Sequence, residues 1–150
     1  MNCAFEDCLV LDECVKAARE SSPDNWIEET FRTYNEARID NANAIANMAL
    51  ENYIEMRDKT ADPAFIFRKE VAHLLGNTFP ERFLARYERV SFSTIAYAKA
   101  YDIGKLNDIV LDAVIAKLDG DFDLSKIDLE HARELCEKYL PLDESQKQEN

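Results

Sequence analysis

Apolar residues recur at helical rather than alternating spacing through most of the chain. Phe5, Cys8, Leu9 and Val15 form a stripe, with Glu6, Asp7, Asp12 and Glu13 between them, so a helix is predicted almost from Met1. In "SSPDNWIEETFRTYNEARID", residues 21–40, Ser22 suits an N-cap, Pro23 the first helical position and the acidic residues the first turns. Ile27, Phe31 and Tyr34 are its expected buried face. A further helix is predicted over 41–59, ending before Thr60 and Pro63. "DPAFIFRKEVAHLLGN" reads as a capped helix, with Asp62 before Pro63 at its start and Gly76 just past Leu74 and Leu75. Residues 86–93, "RYERVSFS", alternate through Tyr87, Arg89, Val90 and Phe92 in the manner of a short extended segment. Ser93 or Thr94 can cap the next helix from Ile95, which Gly104 is expected to bend or interrupt and which finishes over 109–118, before Gly120. A last helix runs from about Ser125 to Tyr139 and ends at Pro141. The polar tail 143–150 is predicted to be disordered. The fold class is therefore all-α, with about five to six helices and one extended segment near 86–93.

Length and composition add a bound on size and partners. A chain of 150 residues with 47% hydrophobic content matches one domain with one core, and neither an internal repeat nor a domain boundary is visible. The formal charge of -12 argues against nucleic acid and anionic membranes as partners, since both are bound by Lys and Arg neutralising phosphates. No apolar run approaches the ~18 residues of a membrane span and no signal peptide opens the sequence, so the expected location is cytoplasmic. Cys3, Cys8 and Cys14 lie on one predicted helix without Cys-x-x-Cys spacing, Cys136 is distant, and His73 and His131 are isolated. No metal site, disulfide framework or catalytic triad is expected, and no residue is assigned a catalytic role.

One polar residue breaks the apolar pattern. Ile45, Ala49, Asn52 and Met56 fall at i, i+4, i+7 and i+11, on one helical face, with the amide of Asn52 in its middle. Such an Asn either bonds internally to backbone or water, or marks a ligand-lining wall whose apolar surface carries one directed polar group. Met56 would then supply an adaptable apolar contact. Tyr87 admits the same two readings, as a packed ring with its hydroxyl exposed or as a donor to a ligand.

Three stretches carry a resemblance. Met1-Asn2-Cys3-Ala4-Phe5-Glu6-Asp7 resembles the segment that closes the flavin site of class A flavoprotein monooxygenases. "ALENYIEMRDK", 49–59, and "FPERFLARYERVSFSTIAYAKA", 79–100, together resemble the C-terminal part of the kynurenine 3-monooxygenase family, over residues 1 to about 118. The resemblance implies an FAD-dependent aromatic hydroxylase in which NADPH reduces the flavin and L-kynurenine is hydroxylated. It implies that the backbone around Met1 and Asn2 lies against the flavin, where N–H groups at a helix start favour negative charge. It further implies that Asn52 and Met56 line the substrate pocket and that Tyr87 reaches the amino-acid end of L-kynurenine. Glu55, about 100° round the helix from Met56, is assigned a supporting role through a salt bridge or orientation.

The departures from that family are large. The Gly-x-Gly-x-x-Gly fingerprint, the Gly-Asp flavin motif and the N-terminal Arg and Tyr that hold the substrate carboxylate are not in this sequence. The expectation is a C-terminal piece of the enzyme, with Met1 an internal methionine, that by itself neither binds FAD or NADPH nor hydroxylates a substrate. Its domains would be a substrate-side helical region over 1–118, a helical extension over 119–142 and the tail. Its partners would be the absent FAD-binding region and a second copy, met through exposed apolar helix faces. The competing reading is a self-contained acidic all-α interaction module without catalytic activity.

Overall fold

A computed structural model describes residues 2–142, with the side chains of Asn2 and Phe92 set aside; Met1 and the tail from Asp143 lie outside the described residues. Six α-helices and no strand occur among the described residues: α1 (Asn2–Ser21), α2 (Trp26–Asp58), α3 (Pro63–Thr78), α4 (Arg86–Phe92), α5 (Tyr97–Ala116) and α6 (Leu129–Tyr139). The all-α class follows from the helical spacing as expected. The chain divides into two compact units, Met1–Asn47 and Met48–Asn150.

The first unit is a helical hairpin. Ser22 precedes a single 3₁₀ turn over Pro23–Asn25, and α2 starts only at Trp26. Near the turn the Arg19 guanidinium lies 4.4 Å from the Trp26 ring centroid. Farther along, Arg38 donates through Nε to Asp7 at 2.7 Å and through Nη1 to Glu6 at 3.3 Å. These ion pairs join the two helices alongside the buried Ala18 and Ala44, and the expected buried face is overturned. Ile27 and Phe31 are exposed and Tyr34 is half-buried, whereas Thr30, Arg38 and Ala44 are the buried residues of α2. Phe5 and Leu9 on α1 are exposed as well.

The second unit contains the apolar core. Phe67, Val71 and Leu75, at i, i+4 and i+8 on α3, pack with Val110, Leu111 and Val114 of α5 and with Ala132 and Cys136 of α6. Phe79, Phe83, Ile127 and Leu140 close the cluster from the connections. Arg82 Nη1 donates to the Leu140 carbonyl at 3.0 Å, and Asn107 Nδ2 to the Leu84 carbonyl at 2.8 Å, so polar atoms at the core edge take up carbonyls that helices leave open. Burial pushes the Cys136 thiol up to about 11, which keeps it protonated and inert.

Helix boundaries depart from the sequence reading in informative places. No break separates 21–40 from 41–59: α2 runs for 33 residues, because "IDNANAIAN" holds neither Gly nor Pro and its alanines favour helix. Asp62 caps α3 as expected, accepting from the Ala64 N–H at 3.0 Å, but Gly76 lies within the helix, which continues to Thr78. Residues 124–126 form a 3₁₀ turn, and α6 begins only after Asp128, whose carboxylate accepts from the His131 N–H at 3.0 Å. That bond holds the Asp128 carboxyl below its usual range. Gly104 leaves α5 unbroken from Tyr97 to Ala116.

The extended segment expected over 86–93 is a helix. Arg86, Arg89 and Val90 share its inward face at i, i+3 and i+4, and Arg89 is 4% exposed. The alternation through Tyr87, Arg89, Val90 and Phe92 hid this periodicity. The Arg89 N–H bonds the Ala85 carbonyl at 3.0 Å, and Ser93 Oγ donates to the Arg89 carbonyl at 2.6 Å, closing the last turn.

No helix among the described residues is long and apolar enough to cross a membrane. Phe83→Ala is expected to lower stability by about 3–5 kcal/mol, as its ring is fully enclosed. Phe31→Ala, on the open face of α2, should change it by no more than about 0.5 kcal/mol. Urea denaturation of both variants checks the contrast, and equal costs would contradict the described packing.

Candidate functional site

The residues singled out from the sequence come from the last turns of α2 and the first of α4, both in the second unit. Asn52 and Met56 stand one turn apart on α2 and are exposed, Met56 at 65%. Tyr87 on α4 is exposed at 78%. Glu55 is half-buried and accepts from Lys69 Nζ of α3 at 3.1 Å. Met1 lies outside the described residues; Asn2 opens α1, and its side chain is likewise outside.

Two unpredicted neighbours join these elements. Arg86, next to Tyr87 in the chain, donates through Nη1 to Glu51, next to Asn52. Through Nη2 it donates to Asp108 Oδ2 of α5 at 2.9 Å. The other oxygen of Asp108 accepts from Arg68 Nη2 of α3 at 2.8 Å, and Arg68 Nη1 reaches Asp112. Tyr101 Oη of α5 donates to Glu51 Oε1 at 2.6 Å, and its ring centroid lies 5.5 Å from the Arg86 guanidinium carbon. The chain Tyr101–Glu51–Arg86–Asp108–Arg68–Asp112 thus ties the end of α2 to α3, α4 and α5. Its members are partly exposed: Arg86 is 25% accessible and Asp108 48%. Such pairs contribute roughly 0–1 kcal/mol each, so their main effect is to fix geometry rather than to stabilise the fold.

The surface around these residues can offer an amide that donates and accepts (Asn52), a phenol that donates (Tyr87) and an apolar thioether (Met56). All three side chains are exposed to solvent. A separate shallow groove along α3, bordered by Phe65, Ile66, Lys69 and His73, is lined by none of the three. Among the described residues no group of His, Cys, Asp and Glu could hold a metal ion.

Comparison with known proteins supplies a family context. A kynurenine 3-monooxygenase of Dictyostelium discoideum is 44% identical over 147 residues, 93% of this chain and 32% of its own length. One of Myxococcus xanthus is 43% identical over 140 residues, 93% of this chain and 28% of its own. This chain is related to part of the kynurenine 3-monooxygenases. A third, from Stenotrophomonas maltophilia, is 39% identical over 128 residues, 85% of this chain and 26% of its own. The chain spans about a third or less of these curated kynurenine 3-monooxygenases. No protein-family model matches it.

Arg86, Glu51 and Asp108 escaped the sequence reading because charged residues at helical spacing ordinarily face solvent. Gly104 was the available signal, since a glycine inside a helical pattern points to a close approach. The network makes a titration prediction. The hydrogen bond to Glu51, then burial, raises the Tyr101 phenol above its ordinary 10.0. The bond needs the phenolic proton, so it is intact below the ordinary value and is lost as pH rises through the raised one. Subtracting the phenolate absorbance titration of Tyr101→Phe isolates this one of six tyrosines. Glu51→Gln should return it toward 10.0; an unchanged titration would contradict the bond.

Proposed function

We propose that this chain forms the substrate-side helical part of an FAD- and NADPH-dependent monooxygenase that hydroxylates L-kynurenine to 3-hydroxykynurenine. The supporting observation is the 43–44% identity to kynurenine 3-monooxygenases across 93% of the chain, which takes in both the α2 end and α4. In this reading Asn52 and Tyr87 bind the polar groups of the amino acid and Met56 packs against its apolar part. Tyr87 Oη is the donor suited to a carboxylate, while the Asn52 amide can pair with a donor or an acceptor. Both are solvent-exposed on this chain, so the opposite wall of the pocket belongs to a flavin-binding region.

The flavin supplies oxygen activation when bound. This chain's own residues fit one edge of it. The first turn of α1 carries no acidic residue, and the nearby Glu6 and Asp7 are paired with Arg38. Open N–H groups there suit a negatively charged ring edge, with the backbone at Asn2 as the contact. The diphosphate of a dinucleotide has no comparable cradle among the described residues: Gly76 and Gly104 lie inside helices and Gly120 is an isolated turn residue. The flavin-binding region therefore holds FAD and NADPH, and α1 contributes an edge contact. Exposed Phe5, Leu9, Ile27 and Phe31 on α1 and α2 are the apolar surface that this region covers. None of these residues abstracts or delivers a proton. Their work is to bind and orient the ring and to exclude water.

Asn52→Ala and Tyr87→Phe should each raise the KM for L-kynurenine about tenfold in the flavin-loaded enzyme, the scale of one polar contact worth about 1–3 kcal/mol, with flavin content retained. Steady-state kinetics and flavin absorbance check this together. Unchanged KM for both variants would remove the substrate assignment.

A further inference from the structure

We propose that Arg86 is a positioning residue that sets Tyr87 of α4 against Asn52 and Met56 of α2, and that Gly104 is the seat that makes this possible. The inference rests on the reading of those three residues as a substrate wall. They stand on two elements and are exposed, so their own packing does not fix their spacing. The fixing is done next door. Arg86 immediately precedes Tyr87 and Glu51 immediately precedes Asn52, and the guanidinium of one is bonded to the carboxylate of the other. A second arm of the same guanidinium is held by Asp108, 2.9 Å away on α5. A planar fork bound on two sides has one orientation, which a lysine's single ammonium would not have. Asp108 is itself held from behind by Arg68, and Glu51 by the Tyr101 hydroxyl, so both acceptors are fixed.

Gly104 completes the arrangement. A Cβ at that position would lie 2.3 Å from Arg86 Nε and 3.1 Å and 3.2 Å from its Cδ and Cγ. The arginine therefore lies flat against the α5 backbone, in space that every other residue would fill. Gly104 has ordinary helical surroundings, and alanine is the better helix former. What the extra methyl displaces is a flexible side chain, not backbone. Gly104→Ala consequently moves the Arg86 guanidinium while leaving all the charges, Tyr87 and Asn52 chemically intact, which a substitution of Arg86 itself cannot do.

The test uses the flavin-loaded enzyme carrying this chain, with L-kynurenine binding followed by flavin absorbance, kcat and KM measured separately, and helical content by circular dichroism. Gly104→Ala and Arg86→Ala are each expected to weaken L-kynurenine binding about tenfold, like Tyr87→Phe, with helical and flavin content retained. Arg86→Lys should recover part of the loss. Gly104→Ala combined with Tyr87→Phe should be little worse than Tyr87→Phe alone, since one acts through the other. A combined loss near a hundredfold would mean that Arg86 acts independently of Tyr87 and would overturn the proposal. Normal binding by Gly104→Ala and Arg86→Ala while Tyr87→Phe and Asn52→Ala weaken it would also overturn it, leaving the substrate wall standing. Normal binding by Tyr87→Phe and Asn52→Ala would remove the wall and the proposal with it. Should Arg86→Ala lose helical content, Gly104→Ala and Arg86→Lys decide the question.

Discussion

Asp108 accepts from two guanidiniums at once, Arg68 of α3 and Arg86 of α4, and Arg86 carries the connection on to Glu51 at the end of α2. Three helices thereby acquire a common reference point on α5. The apolar cluster from Phe67 to Leu140 provides the bulk of the stabilisation; the charged chain adds directional ties from the end of α2 and from α4 to α5. The division of labour follows from physical range. Dispersion and desolvation are non-directional, whereas a forked guanidinium bonded on two sides is directional.

Where local chemistry set the structure, the sequence made it legible. Asp62–Pro63 opens α3 because a carboxylate cap and a proline suit the first turn, and Phe67, Val71 and Leu75 bury the face that their spacing defines. The all-α class needed nothing more. Where partners distant in sequence decide the outcome, the reading failed. Ile27 and Phe31 have core-like spacing yet are exposed, because the face of α2 turned inward is that of Thr30, Arg38 and Ala44, with Arg38 paired to Asp7 and Glu6 of α1. Residues 86–93 looked extended because their inward positions include two arginines, the buried Arg89 and the half-buried Arg86, and the acceptors of Arg86 lie 35 and 22 residues away in the chain. The candidate site divides in the same way. Asn52, Met56 and Tyr87 stand out as residues out of pattern or carried by a resemblance, while Glu51 and Asp108, and the side chain that Gly104 makes room for, become visible only when the helices are brought together.

The first unit poses a different constraint. Its hairpin carries ion pairs, a cation–aromatic contact and the buried Ala18 and Ala44, yet leaves Phe5, Leu9, Ile27 and Phe31 in water as exposed apolar surface. The kynurenine 3-monooxygenases that this chain resembles are some three times its length, which gives that surface a natural occupant in our proposal. In the same proposal Asn52, Met56 and Tyr87 form a one-sided substrate wall. A wall of amide, phenol and thioether orients an amino acid but does not enclose it, and shielding a flavin reaction from water requires the other side.

The most direct measurement is made on the native polypeptide. An antibody to "DESQKQEN", residues 143–150, captures it from its source, and mass and flavin absorbance are then recorded with and without L-kynurenine. Our account predicts a yellow species, much heavier than 17.3 kDa or tightly joined to a flavoprotein, whose flavin spectrum shifts when L-kynurenine is added. A colourless 17.3 kDa polypeptide with no flavoprotein attached would contradict it.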